Sequence, residues 1–264
     1  VILALLRVGL SPFLVAGASV ASRRWGESVG GWLAGFPFVA GPILLVMALE
    51  QGPGFSALAA RAALLGTIAL VAFAVWFGHL CARMPWGLAL VSGWGLYLLL
   101  AWPLSHFDFG VVPNFFAVVA SLVAGFLVLP RPSETSGTID AAPPARRDIP
   151  LRMGATLVLV CGITLSAKHL GTTWSGLLTP FPVATTVLAV FAHLSGGSPA
   201  VARFLRGFVP GLGSLAVFFA GLALLLPATG MAGFVYALGA SLVVHFGIAF
   251  LRSRRRESSG GEAL

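Results

Sequence analysis

Two Phe-Pro pairs, Phe36-Pro37 and Phe181-Pro182, lie inside otherwise unbroken apolar stretches. Proline within a helix removes a backbone donor and frees the carbonyl four residues earlier, here those of Leu33 and Leu178. In hydrocarbon such a carbonyl must be met by a side chain, by water, or by an ion or polar solute in a cavity. Pro42 adds a second interruption to the first stretch, and Thr179, Thr185 and Thr186 add hydroxyls to the second. Phe36, Pro37, Pro42, Thr179, Phe181, Pro182, Thr185 and Thr186 are therefore the candidates for lining a polar pathway. A packing kink is the plainer use of the same prolines.

Ionisable groups deep in the apolar stretches are scarce. His245 is the deepest and is the candidate for a proton or polar relay, against the alternative of a hydrogen-bonded structural histidine. Arg61 and Arg206 stand just inside apolar boundaries, where guanidinium groups can snorkel to headgroups or ring the two mouths of a route and attract anions. Asn114, after Pro113, reads as a helix cap, and Cys81 and Cys161 read as packing residues. There is no Gly-rich phosphate loop, H-E-x-x-H, G-x-S-x-G or carboxylate pair within one stretch. The expectation is no enzyme, no cofactor and no metal.

The elements that must carry these residues are membrane helices. A chain with 58% hydrophobic residues and only 9% charged residues, and a mean hydropathy of +0.98, has far more apolar surface than a soluble core can bury. Its net charge of +8 comes from basic residues that flank apolar stretches, so it marks topology and not a nucleic-acid partner. Apolar length predicts nine helices, at about 1–22, 29–49, 56–78, 86–104, 111–129, 151–167, 174–194, 201–226 and 230–251. With the N-terminus outside and the C-terminus inside, thirteen Lys and Arg residues fall on the cytoplasmic side and three (Arg7, Arg61 and Lys168) on the outer side.

The chain also repeats itself. Residues 7–78 match residues 152–223 without gaps at 17 of 72 positions, where chance would give roughly 7. The matches include Gly31/Gly176, Phe36/Phe181, Pro37/Pro182, Arg61/Arg206 and Gly66/Gly211. Paired glycines at 9, 17, 31 and 66 and at 154, 162, 176 and 211 are suited to close helix approach. The plan is an all-α membrane protein of four plus one plus four helices, the unpaired fifth crossing placing the second copy upside down. Its parts are a first four-helix repeat (1–105), a linker helix with a polar cytoplasmic loop (106–150), a second, inverted four-helix repeat (151–251) and a basic, disordered tail (252–264).

The run G-L-L-T-P-F-P-V-A-T-T-V-L-A-V-F-A-H over residues 176–193, followed by a Gly-rich turn and an Arg206-bearing helix, resembles the small GlpM-type bacterial inner-membrane proteins. The first copy keeps Gly31, Phe36 and Pro37 but has Ala48 where the second has His193. The resemblance implies a four-helix unit, here duplicated in tandem, and a bacterial inner-membrane location. By architecture alone the plan is also similar to fused fluoride channels and to inverted dimers of small multidrug transporters. The expected function is passage of a small ion or polar solute between the repeats, in a bilayer, by a chain that fusion of its two copies allows to act as a monomer. The alternative is a non-transporting accessory or lipid-interacting scaffold protein.

Overall fold

The computed structural model describes residues 2–107, 109–132, 150–151, 153–154, 156–158 and 171–260, with 2–12, 14 and 252–260 described by backbone alone. Expectations for Asp108, Arg152, Cys161, Gly162, Lys168 and His169, and for most of the sixth apolar stretch, lie outside the described residues.

Every element of the described chain is a helix: α1 (Ile2–Trp25), α2 (Glu27–Ala34), α3 (Ala40–Gln51), α4 (Pro53–Leu80), α5 (Trp86–Leu104), α6 (Val111–Val128), α7 (Thr172–Leu178), α8 (Val183–Thr229) and α9 (Ala232–Gly260). Helical backbone thus continues past residue 251 to Gly260. Among the described residues five stretches are long and apolar enough to cross a membrane: Pro53–Leu80, Trp86–Leu104, Val111–Val128, Thr172–Thr229 and Ala232–Leu251. This is the make-up of a multi-pass membrane protein. Two of the nine expected stretches do not form single helices. The stretch 29–49 is split between α2 and α3, and 174–194 between α7 and the start of α8, each at its Phe-Pro pair.

α8 is itself two limbs, 183–195 and 198–229, because Gly196 and Gly197 between them are not helical. Gly197 has φ +64°, and Gly52, its counterpart in the first copy, has φ +92° at the α3–α4 turn. Both positions demand the left-handed backbone that glycine adopts without strain. The turn that separates α3 from α4 therefore recurs as the bend within α8.

α4 and the second limb of α8 form the core. The most apolar window of α4 is 72% buried, against 17% in α6 and in α9, which turn faces such as Val123, Leu127, Val235 and Val243 outward. Those faces are suited to lipid. Gly78 near the end of α4 meets Leu205 near the start of the limb 198–229, so the two long helices run in opposite directions.

The short helices pack across the copies. Gly31 of α2 lies against the backbone of Phe204, and Gly176 of α7 against that of Ala59. Gly35 meets Gly211, and Gly66 meets Pro180. Each contact becomes the other when 145 is added to one partner and subtracted from the other. A Cβ on Gly35 would come within 2.5 Å of Gly211 and one on Gly66 within 2.5 Å of the Leu177 oxygen, so only glycine permits these approaches. Of the glycines expected to serve this purpose, Gly17 and Gly154 do not, because nothing stands within 4 Å of where their Cβ would be.

Candidate functional site

At each break the backbone follows the same turn. Phe36 N–H donates to Leu33 O (3.1 Å), Phe38 N–H to Phe36 O (2.7 Å) and Gly41 N–H to Pro37 O (2.8 Å). In the second copy Phe181 donates to Leu178 (3.0 Å), Val183 to Phe181 (2.7 Å) and Thr186 to Pro182 (2.8 Å). Proline is the middle residue of a three-residue turn, and Pro182, at φ −72° and ψ 50°, has inverse γ-turn geometry. This corrects the expectation from proline alone. The carbonyls of Leu33 and Leu178 are not free, since the turn tightens and supplies each with the next available donor.

Donors are left over instead. α3 and α8 begin without any side-chain cap. No hydrogen bond joins the N–H groups of Val39, Ala40, Ala184 and Thr185 to another described residue. A buried helix start with unmet N–H groups attracts an acceptor or a partial negative charge.

Both helix starts open on one cavity of about 60 Å³, room for a few waters or one small ion. Its wall includes Ala34, Phe36, Pro37, Phe38, Val39 and Ala40 from the first break, and Thr179, Pro180, Phe181, Ala184 and Thr185 from the second. Leu70 of α4 and its counterpart Leu215 of α8 close it from the long helices. Thr185 is 3% exposed, and none of the described residues hydrogen-bonds its hydroxyl. Thr179, 5% exposed, donates back to Ser175 O at 2.7 Å.

The structure therefore gathers Phe36, Pro37, Thr179, Phe181 and Thr185 around one space. Pro42 lines a neighbouring apolar groove of about 380 Å³, with Phe218 and Phe234. Pro182 and Thr186 stand behind the wall, Thr186 accepting a hydrogen bond from Trp94 Nε1 at 3.1 Å.

The side chains behind the two breaks differ. Tyr97 donates its hydroxyl to Leu177 O at 2.6 Å and meets Phe181 edge-on at 5.1 Å. His245 meets Phe36 edge-on at 5.0 Å and stacks on Trp32 at 4.0 Å. Its Nδ1 lies 2.9 Å from Ser214 Oγ, which also donates to Gly211 O at 2.8 Å. With that hydroxyl proton committed, Nδ1 carries the hydrogen and Nε2 is a lone-pair acceptor. Neither His245 Nε2 nor Trp32 Nε1 finds a partner among the described residues.

The two arginines occupy different settings at the two ends of α6. Arg206 donates to Leu129 O at 3.0 Å, at the C-terminal cap of α6, and lies 4.9 Å over the Phe126 ring. Arg61 lines a cavity of about 100 Å³ with Ser105, Asn114, Thr172 and Thr173. Asn114 does not cap α6, as the sequence suggests, because that helix has no side-chain cap. The residue is 1% exposed and neither of its amide atoms has a partner among the described residues.

No family model, curated protein or solved structure matches this chain.

Sequence reasoning missed Trp32 and Tyr97, and gave Asn114 only the role of a cap. Tyr97 is one of only two tyrosines and lies in the fourth apolar stretch, where a hydroxyl must find an acceptor. That was an available signal for a bond to broken backbone. Asn114 carried a similar signal, hidden by its position one residue after a proline.

Proposed function

We propose that this protein is a channel or transporter of a bacterial inner membrane, passing a small ion or polar solute between two inverted repeats. The observation that carries the reading is the single cavity walled by both Phe-Pro breaks. Broken helices at matching positions of two halves are the sequence and structural mark of a substrate site in inverted-repeat transporters. Four backbone N–H groups without partners among the described residues, and the Thr185 hydroxyl, give a permeating species something to bind in an otherwise apolar wall. The opposed directions of α4 and the limb 198–229 support inversion, because they are corresponding segments of the two copies. On this reading the nine crossings run as four plus one plus four, N-terminus out and C-terminus in, and a GlpM-like unit has been duplicated within one chain that acts as a monomer.

A cavity of about 60 Å³ holds a few waters and is too small to be a continuous pore across the bilayer. Opening to either side then requires the short helices to move against the long ones. The close Gly31–Phe204 and Gly176–Ala59 contacts favour a second reading, a scaffold protein whose breaks serve packing alone.

Flux into proteoliposomes, screened across small anions, cations and neutral solutes, separates the two. Pro37→Ala, Pro182→Ala and Thr185→Val should each lower flux of the transported species by about tenfold or more if they remove part of a binding site. Background leak alone in the parent protein would establish the scaffold reading, and specific flux that is equal in all variants would place the route away from the Phe-Pro breaks.

A further inference from the structure

We infer that the groove between α5 and α6 holds one tail of an anionic phospholipid, with the headgroup phosphate on Arg83. Both helices pack on α4 and leave between them an open groove of about 610 Å³. It is separate from the cavity between the Phe-Pro breaks, and the inference stands whether or not that route carries flux.

The wall selects hydrocarbon. Val71 and Ala72 of α4, Leu96 of α5, and Ala124 and Val128 of α6 give it an apolar surface. The polar side chains among them already spend their hydrogens inside the protein. Ser121 donates to Val118 O at 2.7 Å, Trp76 Nε1 to Ser92 Oγ at 3.1 Å, and His79 Nδ1 to Val75 O at 2.9 Å. A polar solute would lose its hydration for little return, whereas a tail gains close contacts and gives up no hydrogen bond.

Length and charge say which lipid. The α4 residues of the wall run from Ile68 to Leu80, all in the second half of that helix. At about 1.5 Å per residue this is about 18 Å, close to one leaflet of a hydrocarbon core roughly 30 Å thick. The headgroup end is then where α4 stops and Arg83 joins the wall, exposed and paired with no described residue. Pro130 lies beside Gly78, so α6 stops at the same end, and Arg131, also exposed, follows it. No described carboxylate lines the groove to receive the amine of a zwitterionic lipid. Guanidinium groups alone favour a headgroup of net negative charge and take phosphate oxygens in pairs.

The purified full-length protein in detergent is titrated with dioleoylphosphatidylglycerol, with dioleoylphosphatidylcholine, and with glycerol phosphate, which lacks tails; native mass spectrometry counts the adducts. Phosphatidylglycerol should fill one site at least about tenfold more tightly than phosphatidylcholine, and glycerol phosphate should bind at least about 100-fold more weakly than either lipid. Arg83→Gln should cut the preference for the anionic lipid by about fivefold. Ala124→Phe should fill the groove and weaken both phospholipids alike. Both positions are exposed, so the melting temperature without added lipid should not fall. Equal binding of the two phospholipids, adducts that mount past one without saturating, glycerol phosphate binding as tightly as the lipids, or unchanged binding in both variants would overturn the inference.

Discussion

The two Phe-Pro breaks share a backbone and differ in what stands behind it. Behind the second, Tyr97 and Trp94 complete hydrogen bonds to Leu177 O and to Thr186. Behind the first, Trp32 and His245 stack on each other, and each leaves a buried nitrogen without a partner among the described residues. The turn is fixed by Phe-Pro chemistry and by reciprocal glycine contacts, both of which recur at a spacing of 145 residues. The polar groups that finish it differ, and the difference leaves one break tied down and the other with hydrogen-bonding capacity that no described residue uses. Local stability should accordingly be higher around Phe181 than around Phe36.

The sharpest way to break this comparison is at what the breaks have in common. Gly31→Ala and Gly176→Ala should each destabilise the protein by about 1–3 kcal/mol, because the new methyl meets opposing backbone that cannot move aside alone. Thermal unfolding in detergent reads both, and a tolerant site in one copy would show that the packing is not shared.

What separates the breaks should give a smaller effect. Tyr97→Phe leaves Leu177 O without its donor and should cost about 1 kcal/mol. His245→Phe gives up the Nδ1 bond to Ser214 Oγ but also removes a buried nitrogen that no described residue meets, while Ser214 keeps its bond to Gly211 O, so the two changes offset and stability should stay within about 0.5 kcal/mol of the parent. Equal losses in the two variants would abolish the asymmetry.

The two ends of α6 extend the contrast. Arg206→Gln gives up the bond to Leu129 O and the contact with Phe126, for a loss of about 0.5–1 kcal/mol measured in the same melts. Near that end Cys81 is 4% exposed, and burial pushes its thiol up from the usual 9.0 to about 11. The neutral thiol is the favoured form, so its contribution is intact below 9.0 and is lost only as pH rises through about 11. Alkylation of Cys81 should therefore remain slow at pH 8 and accelerate toward pH 11; rapid labelling at pH 8 would mean that this end opens readily.

Much of this was legible from residue order because it depends on single residues with strong local effects. Pro37 and Pro182 mark the breaks, since a missing N–H ends a helix wherever it falls. The ends of α5 at Trp86 and Leu104 follow from the length of an apolar stretch between turn residues. The occupants of the freed hydrogen-bonding positions could not be read this way. Whether Leu33 O is bare depends on how far the chain tightens before Pro37, and the answer lies in dihedral angles that Phe36 shares with its neighbours. The Arg61 cavity was hidden for another reason. Arg61, Ser105, Asn114 and Thr172 are far apart in the chain and meet only because four helix termini converge.

The crossed seating of α2 and α7 has a consequence for biosynthesis. The surface that receives Gly31 is Phe204 and its neighbours, which leave the ribosome more than 170 residues after α2 itself. Until then α2 has only α1 to pack on, where Gly30 meets Ser22, and the larger part of its seat is missing. α7 faces the reverse situation, since Ala59 is already in place when it arrives. Assembly is thus vectorial: the earlier half serves as the template for the later one, and only the later one can lock the earlier in return.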